Sequence, residues 1–277
     1  IPGIIAGGVS QINMLIDTIL ASFLPTGSPS WLYVSDRLMQ LPLGIFAIAI
    51  GTVILPRLSK LFVADDRLSF SETLDWSMKL VFLIGMPAVI GLILLAEPII
   101  LVLFERGAFT SEDTLQASYS LIALAIGLVA FMLIKVLTPS FFARQEPKKP
   151  MIVALGSMIL NGVLAWIFGF YLGYGHVGLA IASSVSAFFT VITLLILLRI
   201  EEIYEPSAGW LVFWLRLLFA AILLIVWLVY FDHDIFYLRE LTAFDKASYL
   251  LKMVIVGILI YLLALRVTGL KIKDFLN

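Results

Sequence analysis

Residues 116–141 read QASYSLIALAIGLVAFMLIKVLTPSF, with Lys135 as the one charge in the run. A helix crosses a bilayer with roughly 20 apolar residues at about 1.5 Å each, so this stretch is long enough to span. The acids Glu112 and Asp113 precede it, and the polar run from Arg144 to Pro150 ends it. Working outward, seven more segments meet the same standard: 3–24, 36–55, 80–104, 151–172, 177–199, 210–231 and 248–267. Polar, proline or glycine clusters separate them. Their lengths exclude the roughly ten-residue alternating strands of an outer-membrane barrel. The expectation is an all-α polytopic membrane protein with eight transmembrane helices.

Composition agrees about the solvent. The chain is 62% hydrophobic and 13% charged, with a mean hydropathy of +1.09, whereas soluble domains carry about 25% charged residues. A net charge of −1 argues against nucleic acid, which needs a basic stripe to displace counterions. With no cysteine, disulfides, thiolate chemistry and cysteine-bound metals are excluded. His176 and His233 fall in different loops, leaving little for a histidine metal site. Ile1 runs straight into apolar sequence with no basic n-region, so a chain incomplete at its N-terminal end is expected rather than a signal peptide.

Cytoplasmic loops collect lysine and arginine. Arg57, Lys60, Arg67, Lys79, Arg144, Lys148, Lys149, Arg199, Arg216, Arg266, Lys271 and Lys273 fall on one side. Arg106, Arg239, Lys246 and Lys252 fall on the other, and Arg37 and Lys135 lie in or near spans. Twelve against four places the C-terminus and, with an even number of spans, residue 1 in the cytoplasm. The connection from Pro56 to Lys79 mixes apolar and charged residues, which fits a surface-lying amphipathic segment and an ordinary structured loop equally well. The loop from Asp232 to Lys246 carries no evident chemistry.

Charged residues inside spans are costly and usually face a cavity, a partner or a pathway. Ser10, Asn13 and Asp17 share one helix face. Asp17 lies about 12 Å along the axis from Pro25 and about 20 Å from Gly3, too deep to reach water easily. A cavity or cation stripe and polar glue between helices both account for it. Asp36 and Arg37 are adjacent and point about 100° apart, so they do not form a simple pair. Tyr33, Arg37 and Gln40 share a face, and Asp36 sits one turn from Gln40. Arg37 is about 30 Å from Arg57; on spacing alone, a snorkelling interfacial arginine is preferred. Lys135 lies about 13 Å from Arg144 along the helix, and snorkelling is again the preferred reading. Asn161, Ser183, Ser184 and Ser186, with Gly178, Ala180, Ala182 and Ala187, read as close helix packing. Pro42, Pro87, Pro98 and Pro139 suit a transporter that bends. No phosphate-cradling loop, HExxH or nucleophile arrangement is present in the sequence.

The stretch from Gly8 to Pro56 resembles the seventh and eighth helices of the MurJ (MviN) family. The resemblance is carried by Ser30-Trp31-Leu32-Tyr33, Asp36-Arg37-Leu38-Met39, Pro42-Leu43-Gly44 and the exit Leu55-Pro56-Arg57-Leu58-Ser59. A second block, Lys135 to Pro139 through Phe141-Phe142-Ala143-Arg144-Gln145 to Lys149-Pro150, resembles the family's tenth-to-eleventh helix connection. Span count, order and orientation resemble the family's last eight helices.

That resemblance implies a transporter of the MOP superfamily, not an enzyme, with two six-helix lobes around a cavity. Residues 1–200 would form the second lobe, and 201–277 a helix pair offering a groove to a polyprenyl tail. The partner would be lipid II, the undecaprenyl-pyrophosphate peptidoglycan precursor. It would cross the bacterial cytoplasmic (inner) membrane by alternating access, in service of cell-wall biogenesis and cell shape. The missing N-terminal lobe and membrane lipids would be the other partners. By position, Arg37 would be this lobe's cavity arginine, with Asp36 and Ser30 beside it and Gln40 where the family often has an acid. Asp17 and Asn161 would contribute to a sodium site. Ala165 stands where its second carboxylate is expected, so Na+ and H+ are both open as coupling ion, and no metal is firmly implied. The alternatives are a polysaccharide flippase or cation-coupled multidrug antiporter of the same superfamily, a polyprenyl-phosphate enzyme and an eight-helix scaffold.

Overall fold

A computed structural model describes residues 2–230 and 235–270. Ile1, Asp232, His233, Lys271 and Lys273 lie outside the described residues, as does the side chain of Ser10. In chain order the helices are α1 (Pro2–Ser22), α2 (Ser28–Pro42), a π-helical turn (Leu43–Ala47), α3 (Ile48–Val63), α4 (Arg67–Leu94) and α5 (Ala96–Phe104). There follow α6 (Ser111–Ala143), α7 (Lys148–Trp166) with a π-helical turn (Ile167–Tyr171), α8 (Gly175–Ile200), α9 (Trp210–Tyr230), α10 (Ile235–Glu240) and α11 (Ala243–Val267).

Helices overlie all eight predicted segments. Among the described residues, six are long and apolar enough to cross a membrane: α4, α6, α7 with its π turn, α8, α9 and α11. Several boundaries differ from the sequence reading, each for a local reason. The second segment starts at Ser28, eight residues early, because Pro29 fits the first helical turn, where its missing N–H is not needed. Gly27 enters that helix at φ 104°, and a Cβ there would lie 2.5 Å from the Trp31 ring, so glycine is required. The connection from Pro56 to Lys79 is neither an ordinary loop nor a separate segment. α3 continues through Pro56 to Val63, a short turn holds Asp65 at φ 54°, and α4 starts at Arg67. The third segment breaks at Leu95 before α5, since Pro98 has no N–H for the carbonyl four residues back.

The centre is α6, against which α2, α3, α4, α5 and α8 all pack. Its side chains Leu121, Leu128, Met132, Leu137 and Phe141 are fully buried. Thr110 and Asp113 cap each other's backbone N–H at its start. At Gly127 a Cβ would lie 2.6 Å from Ser184 Oγ, and Ser184 donates to the Ala123 carbonyl at 2.7 Å. Small residues do bring α6 and α8 close, as the sequence suggested.

α9 and α11 lie against α4. Leu217, Leu224, Tyr261 and Leu265 bury with Leu83, Ile90 and Leu95, and the Tyr261 hydroxyl donates to the Leu83 carbonyl at 2.8 Å. One carboxylate ties the connecting loop down. Asp75 of α4, 3% exposed, accepts from Lys79 Nζ at 2.6 Å, Ser207 Oγ at 2.5 Å, Trp210 Nε1 at 2.6 Å and the Tyr204 hydroxyl at 2.9 Å. Burial, and then the bond to Asp75, push the Tyr204 hydroxyl well above the ordinary tyrosine range. At the end of the bundle where α6, α7 and α8 terminate or begin, Glu201 accepts from Arg144 and Lys149, each at 2.6 Å. Burial pushes the Glu201 carboxyl up, but these two cations outweigh it and hold the group below its ordinary 4.5.

Candidate substrate and cation sites

The first candidate is the open face of α2. Trp31 Nε1 donates to Asp113 Oδ1 at 2.8 Å and Ser35 Oγ to the Ala117 carbonyl at 2.7 Å, clasping α2 to α6. The Trp31 ring also meets His176, centroids 4.7 Å apart, and His176 Nε2 lies 3.1 Å from the Gln116 carbonyl. His176 is thus a structural partner of the clasp. With Val34, Ser35, Leu38 and Met39 buried, the helical period leaves Ser30, Tyr33 and Arg37 exposed on one side, with Gln40 at its edge.

Arg37 lies over the Tyr33 ring, its Cζ 4.8 Å from the centroid. Asp36, half-buried, takes a hydrogen bond from the Gln40 amide. As the spacing predicted, Asp36 and Arg37 do not pair, and Arg37 makes no ion pair among the described residues. The arrangement presents a planar cation, steadied by an aromatic face, whose forked donors suit phosphate oxygens.

The second candidate joins three helices. Asn161 Nδ2 on α7 donates to Asp17 Oδ1 on α1 at 3.2 Å, and Ser183 Oγ on α8 lies 3.3 Å from Asp17 Oδ2 and 3.4 Å from Asn161 Oδ1. Asn161 is 2% exposed. The structure therefore brings Asp17 and Asn161 together. It adds Ser183, which the sequence reading had assigned to packing. One turn before Asp17, Asn13 Oδ1 is buried without a hydrogen-bond partner. One turn after Asn161, Ala165 is fully buried and offers no oxygen.

A carboxylate, two amide oxygens and a hydroxyl make a hard donor set with one negative charge, which fits a monovalent cation. Among the described residues no group of three His, Cys, Asp or Glu exists to hold a metal ion. No sequence motif marked Ser183. A serine one residue from the packing serine Ser184 differs from it only by about 100° of helix rotation.

The fold is shared with solved membrane transporters. It superposes on an outward-facing multidrug resistance MATE family transporter of the MOP superfamily, with a TM-score of 0.65 and 17% identity, over 97% of this chain and 62% of that one. Within that class the chain belongs to the lipid II flippase MurJ family, whose sequence model matches residues 1–264. It is 42% identical to the probable lipid II flippase MurJ of Vibrio cholerae serotype O1, over 99% of this chain and 52% of that protein. It superposes on lipid II flippase MurJ in an inward closed conformation with a TM-score of 0.75 and 32% identity, covering 98% of this chain and 53% of the other. The chain spans about half the length of the curated relatives it matches. It is a multi-pass membrane protein of a transporter family.

Proposed function

We propose that this chain is the second lobe, residues 1–200, and the C-terminal helix pair, 201–277, of a transporter that flips lipid II across the bacterial inner membrane. The observation that carries the reading is Arg37: exposed, steadied by Tyr33 and in no ion pair among the described residues. Its guanidinium binds the pyrophosphate oxygens, while Ser30 and Gln40 on the same side offer hydrogen bonds to the headgroup. The polyprenyl tail stays in lipid along the exposed apolar faces of α9 and α11. The twelve-to-four split of basic residues supports a cytoplasmic Arg144 end, and hence a cytoplasmic C-terminus.

Asp17, Asn161 and Ser183 take the coupling cation, Na+ or a proton on Asp17. A cation there neutralises the one carboxylate joining α1, α7 and α8, and so biases how these helices pack as the lobes rock.

The test is complementation. The full-length gene sustains growth of a bacterium depleted of its own lipid II flippase. Arg37→Glu abolishes this at unchanged membrane abundance, and Arg37→Lys retains part of it. Growth of the Arg37→Glu strain at wild-type rate overturns the role of Arg37. Failure of the wild-type gene, with transport of cationic drugs instead, moves the chain to the antiporters.

A further inference from the structure

Three helices end alike around one cavity. α3, α6 and α8 are each followed by a residue in the left-handed region, Asp65 at φ 54°, Gln145 at φ 60° and Glu202 at φ 55°, the three non-glycine residues of that kind among the described residues. At each end the N–H of the next residue donates to the carbonyl five residues back: Asp66 to Leu61, Glu146 to Phe141 and Ile203 to Leu198, at 2.9–3.0 Å. All three turns line a cavity of about 250 Å³. Helix C-termini carry partial negative charge. The lining adds Asp65, Asp66, Glu146 and Glu201 against two cations, Arg67 and Arg144.

Neither sign of charge in this lining is used up within the protein. The Arg144 side chain is 8% exposed and gives Nη2 to Glu146 and Glu201, while its Nη1 is buried without a hydrogen-bond partner. Arg67 and Asp65 are mostly exposed and form one loose ion pair at 3.9 Å. Asp66 accepts from the Ser69 N–H through one carboxylate oxygen. A bare anion entering here would meet four carboxylates, and a bare cation would leave Nη1 stranded. A group carrying both charges a few bonds apart satisfies both. Depth names its source. α8 has 26 residues, about 39 Å, and α6 has 33, about 50 Å, against about 30 Å of hydrocarbon and about 40–45 Å of whole bilayer. Their turns at the Arg144 end therefore lie among lipid headgroups, where Val63 and Leu68, exposed beside the cavity, offer apolar contact to acyl chains.

We propose that this cavity binds the phosphoethanolamine headgroup of a membrane phospholipid, a site separate from the transport path. At about 30 Å³ per water, the cavity holds roughly eight waters, enough for the headgroup's phosphate, two methylenes and amine. Arg144 Nη1 and Arg67 take phosphate oxygens, and the ammonium lies against Asp65 and Asp66, close to the helix ends. A primary ammonium supplies N–H donors to those carboxylates. A trimethylammonium has none to give, and a phosphoglycerol headgroup brings no cation. One bound headgroup thereby joins the α3–α4 turn to the ends of α6 and α8.

The test uses the full-length transporter in detergent, with its melting temperature followed as dihexanoyl phosphatidylethanolamine is titrated. The phosphatidylcholine and phosphatidylglycerol analogues and chainless glycerophosphoethanolamine serve as comparisons. The expected result is a saturable rise of several degrees with phosphatidylethanolamine and little with the other three. Arg67→Gln and Asp65→Asn sit at exposed positions, and asparagine tolerates the left-handed backbone. Each should melt as wild type without lipid and lose most of the rise. No rise, an equal rise with phosphatidylcholine or phosphatidylglycerol, or an undiminished rise in both variants overturns the site. An equal rise with the chainless diester overturns the lipid as its source. Lipid II takes no part in these measurements, so their failure leaves the flippase reading standing.

Discussion

Arg37 and Asp17 carry opposite charges on neighbouring helices, and the fold treats them differently. Arg37 keeps its donors for a ligand because its adjacent acid points about 100° away around the helix, where it takes a hydrogen bond from Gln40. Asp17 is held by Asn161 and Ser183, two neutral groups that leave its charge uncompensated. Asp17→Ala is therefore expected to remove the response of lipid II transport to a sodium or proton gradient while leaving lipid II binding within about twofold. Vesicles with imposed gradients, read by headgroup labelling, measure the first, and equilibrium binding the second; a gradient response equal to wild type would sink the cation role. Asp17 and Asn161 were legible together only through the family resemblance, since 144 residues separate them. Ser183 was not legible, because which of two adjacent serines faces α1 depends on the rotation of α8. Lys135 was legible as a charge in a span, and the structure leaves it exposed.

Length and apolarity marked where the helices lie, because crossing hydrocarbon needs a long, internally hydrogen-bonded segment. Their ends were harder to read. Pro56 passes through a helix while Pro98 follows a break at Leu95, although each proline lacks the same N–H. The loop between α8 and α9 gave no signal in the sequence, yet it carries the densest polar contact described. Asp75→Ala strips Lys79, Ser207, Tyr204 and Trp210 of their shared acceptor, at an expected cost of about 3 kcal/mol for breaking a buried ion pair. Thermal unfolding of the purified protein in detergent should drop accordingly, with Asp75→Asn intermediate. A melting temperature unmoved by Asp75→Ala would mean that apolar packing alone seats α9 and α11.

For the whole molecule, ion pairs tie the helices at both ends of the bundle, through Arg239 with Glu97 and Glu105 at one and through Glu201 at the other. At the Arg144 end, Glu201 joins the connection between α6 and α7 to the end of α8 through Arg144 and Lys149. Because the folded Glu201 is held below its ordinary 4.5, its contribution is present above that value and is lost as pH falls through the folded pKa. Stability should therefore decline on acidification below the ordinary glutamate range. Glu201→Gln should lower stability at neutral pH and flatten that decline, as read by unfolding midpoints across a pH series. A variant with the same acid slope as wild type would exclude Glu201 as its source. Span length and apolarity were sufficient to show an all-helical membrane protein. The partners of Asp75 and Glu201 were hidden because they join residues far apart in sequence.

The Asp75 contact also has a schedule. Its acceptor oxygens are inserted with α4, but Tyr204, Ser207 and Trp210 lie 129 to 135 residues downstream. At about 5–20 residues per second, a ribosome takes on the order of ten seconds to deliver them. Throughout that interval the nascent lobe carries Asp75 with only Lys79 as company, so a ribosome stalled before residue 210 leaves a bundle that membrane quality-control proteases can recognise as unfinished.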